Sequence, residues 1–169
     1  MIHLGRHSYN YGVQRGTAND VHVGNFSSIA EGVIFDGGFL HPTNFVSTFP
    51  FSSIFTGNYG ENPIVPKDIH IGNDVTIGED SIIMGGLTIG DGAIIGARTI
   101  VTKNIETYAI MIGAPMRFSR YRLSEFQIEQ LLKIKWWEWD SGKIFENREL
   151  LQSNNIDEFI KLHYDSNKS

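Results

Sequence analysis

The 169-residue chain contains no cysteine. That excludes a disulfide framework, a thiolate metal site and a cysteine nucleophile. It also has no basic excess: 14 Lys and Arg stand against 19 Asp and Glu, a formal net charge of −5. The footprint of a nucleic-acid-binding domain is therefore missing. No apolar run approaches the roughly 18 residues of a membrane span. The first residues, MIHLGRHSYN, lack the apolar core of a secretory leader. A cytoplasmic protein without membrane or nucleic-acid partners is expected. The 41% hydrophobic content is that of an ordinary folded protein and argues against disorder. The length suits one domain with a small appendage and is enough to bury a core.

What the sequence does have is a repeat of six. Stepping from Ile71 gives Ile77, Ile83, Ile89, Ile95 and Val101, all β-branched and apolar. The residues that follow them are Gly72, Gly78, Met84, Gly90, Gly96 and Thr102. Two positions before them stand Ile69, Val75, Ser81, Leu87, Ala93 and Thr99, mostly small or apolar. The phase returns upstream at Val23, Ile29 and Phe35. A period of six fits neither an α-helix nor an alternating hairpin. It suits a β-helix of short strands and turns, with each aliphatic pointing inward and the small residue letting the backbone turn closely. Stacked coils then pair strands about 4.8 Å apart. A sandwich of short strands is the alternative, and the strict register argues against it. The expected fold is mainly β: a parallel β-helix over residues 1–115 and a helical tail over 116–169.

The repeat breaks at about residues 36–68, a stretch carrying Phe49, Pro50, Phe51, Phe55, Tyr59 and Pro63. Long excursions inside a repeat array are commonly functional. After Pro115 the period ends. Ser124 and Gln127 read as a capping box that starts a helix through about Trp136. Further helices are expected from about Ser141 to Leu151 and from Ile156 to His163. Trp136, Trp137 and Trp139 read as packing residues rather than a stacking platform. The tail is expected to close the open end of the stack.

These features resemble the hexapeptide-repeat acyltransferases, and several segments narrow the match: VGNFSSIAEGV, GGFLHPTNFVSTFPF, IGARTIVTKNI, MIGAPMRF and LLKIKWWEWD. They resemble the xenobiotic acetyltransferase branch, with its chloramphenicol, streptogramin and sugar acetyltransferases, over nearly the whole chain. The resemblance implies a left-handed β-helix, acetyl-CoA as acyl donor, no metal, and a homotrimer whose excursion reaches the neighbouring subunit.

Of the six histidines, His22 and His70 each precede a core aliphatic and should point outward. His3 and His7 give no spacing signal, and His163 lies in the tail. Only His41 stands at the base of the excursion. An imidazole with an ordinary pKa of about 6.5 suits proton removal from an attacking hydroxyl or amine. The resemblance identifies His41 as the general base. Its neighbours are Leu40 and Asn44, where family members often carry Asn and an acid. Between Arg98 and Arg122 lie Arg98, Lys103, Arg117, Arg120 and Arg122 with one acid, Glu106. Such a cluster suits the phosphates of coenzyme A. The resemblance assigns CoA contacts to Ala97, Thr102, Lys103 and Arg117, and a close backbone approach of the pantetheine arm to Gly85 and Gly86. For the acceptor it points to Tyr9, Tyr11 and Asn44, although the two tyrosines equally suit a plug at the open N-terminal end. The expected activity is acetyl transfer to a small-molecule hydroxyl or amine, with sugars and nucleotide sugars ranked just above antibiotics. A three-histidine zinc β-helix and a non-catalytic assembly module are the remaining alternatives; only His41 and His70 could contribute to the first, and His41 and the basic residues speak against the second.

Overall fold

The computed structural model describes residues 1–15, 20–37, 44–49, 51–57 and 67–164. The period of six becomes a three-sided parallel β-helix. Its first face is built from β1 (Ile2–Leu4), β4 (Val21–Val23), β7 (Ile69–Ile71) and β10 (Thr88–Ile89). The second carries β2 (Tyr9–Asn10), β5 (Ser28–Ile29), β8 (Thr76–Ile77), β11 (Ile94–Ile95), β13 (Ala109–Ile112) and β14 (Arg117–Tyr121). The third holds β3 (Val13–Arg15), β6 (Ile34–Asp36), β9 (Ile82–Met84) and β12 (Ile100–Val101). All pairings are parallel except β13 with β14.

The hexapeptide aliphatics form the core. Ile29, Ile77, Ile83, Ile89 and Val101 are fully buried, and Ile95 nearly so. Each such side chain contributes about 1.5–3 kcal/mol. The small polar residues in the same ladder are satisfied by neighbouring coils. Ser27 Oγ donates to the Gly72 carbonyl at 2.9 Å and accepts from Val75 N–H at 3.1 Å. Ser81 Oγ donates to the Gly96 carbonyl at 3.0 Å. Hydroxyls therefore occupy core slots without leaving an unpaired group.

A first coil, absent from the regular phase, precedes Val21. Leu4 pairs with Val23, and Asn10 with Ile29. The step from Leu4 to Val23 is 19 residues, whereas Ile71 to Ile89, in register on the next coil, is 18. The one-residue slip takes the coil out of phase. Its inward slot on the second face holds Asn10, whose Oδ1 accepts from Gly12 N–H at 3.0 Å.

The excursion leaves after β6 and returns before β7, as expected from the break in the repeat. It also contains a short helix, α1 (Phe51–Thr56), that the repeat gave no sign of. Its described apolar side chains Phe45, Val46, Phe49, Ile54 and Phe55 are exposed.

Beyond β14 come α2 (Glu125–Ile134), a 3-10 turn (Trp136–Glu138), α3 (Ser141–Glu146), α4 (Arg148–Leu151) and α5 (Ile156–Tyr164). The Ser124–Gln127 capping box forms in both directions. The single helix expected over 141–151 is broken at Asn147. Its side-chain amide donates to the Lys143 carbonyl at 2.8 Å and competes with the helix backbone.

The tail does not cap the end of the stack as expected. It lies along the corner between the first and second faces. At that corner each coil turns through a left-handed residue: His7, Phe26, Asp74, Gly92 and Tyr108, with φ between 54° and 68°. Trp136 packs on Phe26 with ring centroids 5.1 Å apart. Trp137 is buried, and its carbonyl accepts from Asn25 Nδ2 at 3.1 Å. Arg6 Nη2 donates to the Trp139 carbonyl at 3.0 Å. At Gly92 alone of these positions the turn is a glycine, and a Cβ there would sit 2.7 Å from the Tyr108 ring.

Candidate active site

Among the described residues, the tail occupies the first corner and leaves the third face and its two flanking corners uncovered. The residues singled out for CoA divide between those corners. Gly85 and Gly86 follow β9, and Thr102 and Lys103 follow β12. Since Ile82 pairs with Ile100 and Ile83 with Val101, the two turns stack one coil apart at the corner joining the third face to the first. Ala97 turns from β11 into β12 at the opposite edge of the third face. Arg117 opens β14 opposite Ile112, one coil further on at that same edge. Ala97, Thr102, Lys103 and Arg117 are all exposed.

The glycine turn also meets both roots of the excursion. Gly86 N–H donates to the Lys67 carbonyl at 3.2 Å. A Cβ on Gly85 would lie 3.3 Å from the Asp36 carbonyl oxygen and 3.5 Å from that of Gly37. Gly86 has φ +81°, and a Cβ there would press on the Lys67 side chain. The turn is close to backbone on both sides, which is the situation that favours glycine. His41 itself lies outside the described residues. Asn44 is described and exposed.

Tyr9 does not plug the open end. It pairs with Ser28 while its neighbour Asn10 pairs with the buried Ile29, so Tyr9 projects outward from the second face. Its ring lies 5.7 Å from that of Tyr11, and both are exposed.

The basic run between Arg98 and Arg122 is not one patch. Arg122 turns to the tail corner, where Nη1 meets Asp74 Oδ2 at 2.9 Å and the Gly92 carbonyl at 2.7 Å. Burial pushes the Asp74 carboxyl above its ordinary range, and Arg122 pulls it part of the way back. Arg98 approaches Asp80 at 3.4 Å in an exposed pair. Lys103 and Arg117 stand on opposite edges of the third face.

Sequence reasoning missed two outward columns. On the third face Val13, Ile34, Ile82 and Ile100 stack in register. Three of them immediately precede an inward hydrophobic residue, a pairing that the second face also shows at Ile94–Ile95 and Ile110–Met111. On the first face, His22 and His70 do point outward, but they are not separate solvated residues. His3, His22 and His70 stack with centroids 5.1 and 5.0 Å apart. Asp20 approaches His3 at 3.4 Å, and Asp68 approaches His22 at 3.8 Å. Among the described residues, no group of three His, Asp or Glu is placed to hold a metal ion, and no helix is long and apolar enough to cross a membrane.

A family model described as bacterial transferase hexapeptide (six repeats) matches residues 68–103, the region of β7 to β12. A Lysinibacillus sphaericus protein named "Probable macrolide acetyltransferase" is 42% identical over 137 residues, covering 78% of this chain and 76% of that protein. A chloramphenicol acetyltransferase of Morganella morganii is 35% identical, covering 92% of this chain and 84% of its own length. A solved galactoside acetyltransferase in complex with coenzyme A superposes with TM-score 0.55 at 31% identity, over 71% of this chain and 55% of that one. With this much of its length shared at these identities, and with the repeat realised as stacked three-sided coils, the chain belongs to the hexapeptide-repeat acetyltransferases of the left-handed β-helix fold.

Proposed function

We propose that the protein transfers the acetyl group of acetyl-CoA to a hydroxyl group of an antibiotic-like acceptor, a macrolide or an amphenicol, with His41 as general base. The observation that carries the site is the glycine turn Gly85–Gly86, wedged against both roots of the excursion that bears His41. His41 is four Cα steps from Gly37, so the chain limits the histidine Cα to within about 14 Å of that root. That keeps the imidazole beside the corner where a third face carrying acetyl-CoA, its own or that of a subunit packed against it, would present the acetyl group.

Without cysteine, the acceptor attacks the thioester directly. As the acceptor oxygen bonds to the acetyl carbon, its proton passes to the His41 imidazole. The C–S bond then breaks, and the imidazolium returns the proton to the departing sulfur, so that CoA leaves as the free thiol. Lys103 and Arg117, on the two edges of the face, serve the CoA phosphates. Because the reaction draws on acetyl-CoA, the cytoplasm is the expected compartment.

The relatives at 42% and 35% identity bear antibiotic names, and on that ground an antibiotic acceptor is placed ahead of the sugars that the sequence ranked first. Acetylation of a sugar hydroxyl is the second reading, favoured by the 31% identity to the galactoside enzyme. Both are tested by one panel: chloramphenicol, a macrolide, a streptogramin, a galactoside and an amino sugar, each with acetyl-CoA. Free thiol is read with a chromogenic disulfide, and the cysteine-free protein contributes no background. Acetylation of chloramphenicol or the macrolide, seen by mass spectrometry, supports the first reading. Turnover of the sugars alone replaces it with the second. His41→Ala should lower kcat by roughly 10²–10⁴-fold with little change in CoA binding. Near-normal turnover in that variant would remove His41 from the mechanism. Lys103→Ala and Arg117→Ala should raise KM for acetyl-CoA more than KM for the acceptor.

A further inference from the structure

The strands of the third face stack in the order β12, β9, β6, β3. Their central residues Val101, Ile83 and Phe35 are fully buried, and Gln14 pairs with Phe35. The residues on either side of each therefore point outward. One outward column is the apolar one through Ile34 and Ile82. The other runs through Arg15, Asp36 and Met84, in register on successive coils. Thr102 continues it, following Val101 as Met84 follows Ile83. Among the described residues in these slots, Asp36 is the one acid and Arg15 the one base.

The CoA candidates occupy only one end of this face. Thr102 and Lys103 follow β12, and Gly85 and Gly86 follow β9. A donor with its phosphates at Lys103 and its arm along the glycine turn points its acetyl group toward β6 and β3. Asp36 stands at the next level: a Cβ on Gly85 would lie 3.3 Å from its carbonyl oxygen.

Given the acetyl-transfer reading above, we infer that Arg15 and Asp36 recognise the acceptor, and that they select an uncharged molecule bearing a hydroxyl and a second oxygen a few bonds away. Direct attack requires the acceptor to lie beside the acetyl end of the donor. The Asp36 carboxylate accepts from the acceptor hydroxyl, and the Arg15 guanidinium donates to the second oxygen. Adjacent coils lie about 4.8 Å apart, which sets the spacing of the two groups. Their charges oppose each other, and Lys67, whose side chain lies over Gly86, adds a cation at the same corner. A protonated amine such as that of a macrolide sugar therefore gains no net attraction. Of the two antibiotic acceptors proposed above, the amphenicol, with its diol and amide carbonyl, matches this pair. The recognition belongs to one face, so it holds whether the imidazole comes from the same chain or from a neighbour.

The test is steady-state kinetics of the full-length protein with chloramphenicol and with a macrolide bearing an amino sugar, alongside calorimetric titration with CoA. Asp36→Asn is isosteric and Arg15 is exposed, so Asp36→Asn and Arg15→Gln should both fold. Each should raise KM for chloramphenicol roughly 10-fold, while KM for acetyl-CoA and Kd for CoA stay at wild-type values. Arg15→Lys keeps the charge and should recover part of the loss. An unchanged chloramphenicol KM in both variants would overturn the inference and leave acetyl transfer standing. Equal losses toward acetyl-CoA and chloramphenicol would overturn it as well, because they would mark a structural role. Turnover of the macrolide alone would overturn the assigned acceptor class. A wild-type protein that binds CoA but acetylates no acceptor would remove the acetyl-transfer reading itself, and this inference with it.

Discussion

Arg122 stands two residues past Arg120 in a run of basic side chains, yet the two end in different surroundings. β14 is antiparallel to β13, and the chain leaves it toward the first corner, where Asp74 waits in a left-handed turn. Each partner of the pair is less than a third exposed, and Nη1 and Oδ2 are 2.9 Å apart. Burial raises the Asp74 pKa, so the folded protein holds that proton more tightly than the unfolded chain does. The contribution of Asp74 to stability therefore falls as pH rises from about 3.8 through the raised folded value. Arg122 limits that loss. Arg122→Leu leaves the carboxylate uncompensated and should cost about 2 kcal/mol at pH 7, or roughly 4–8 °C in Tm. The deficit should shrink near pH 4, and Asp74→Asn added to Arg122→Leu should recover most of it at pH 7. Thermal denaturation of the three proteins at both pH values checks this; a Tm deficit that ignores pH would mean the carboxylate is not the cause. Nothing in the sequence separates Arg122 from Lys103. Both are cations in a positive stretch, and only the partner 48 residues upstream distinguishes them.

The coils from Ile69 to Val101 were legible because each turn returns after 18 residues, which keeps the inward slots on a strict period of six. The first coil fell within the expected β-helix, but its inward slots could not be read from the period, because one extra residue between Leu4 and Val23 moves them out of phase. Helix α2 was legible from a local signal, the Ser124–Gln127 box. Its docking was not, because the corner that receives it is assembled from His7, Phe26, Asp74, Gly92 and Tyr108, which share a backbone conformation but no residue type. The glycine in that series offers a test of the docking. Gly92 and Gly57 both have positive φ, +68° and +66°, but a Cβ on Gly92 meets the Tyr108 ring while one on Gly57 meets nothing within 4 Å among the described residues. Gly57→Ala should cost only backbone strain, about 1 kcal/mol. Gly92→Ala should cost that plus overpacking, about 2–4 kcal/mol in total. Urea unfolding of the two variants separates the terms; equal losses would show that the Tyr108 ring yields without penalty.

Among the described residues, the assembled prism leaves an apolar column on its third face, and the position of that column bears on function. Val13, Ile34, Ile82 and Ile100 form a column along the outside of the third face, between the two edges that carry the CoA candidates. The excursion adds Phe45, Val46, Phe49, Ile54 and Phe55, all exposed. Packing such surfaces against copies of themselves under closed cyclic symmetry buries them without open-ended growth. We therefore expect a homotrimer in which the excursion of one subunit brings His41 against the third face of the next. Light scattering should give three times 19.0 kDa. Ile100→Lys places a charge in the centre of the column and should dissociate the assembly and abolish turnover, while the monomer keeps its far-UV circular dichroism, because Ile100 points away from the core. A mixing experiment then asks whether each site is shared. His41→Ala and Lys103→Ala subunits are each impaired alone. Exchanged in equal amounts, about a quarter of the boundaries would pair an intact His41 with an intact Lys103, and activity should reappear. A fully active monomer would refute the assembly, and a trimer that shows no recovery on mixing would place each complete site within a single chain.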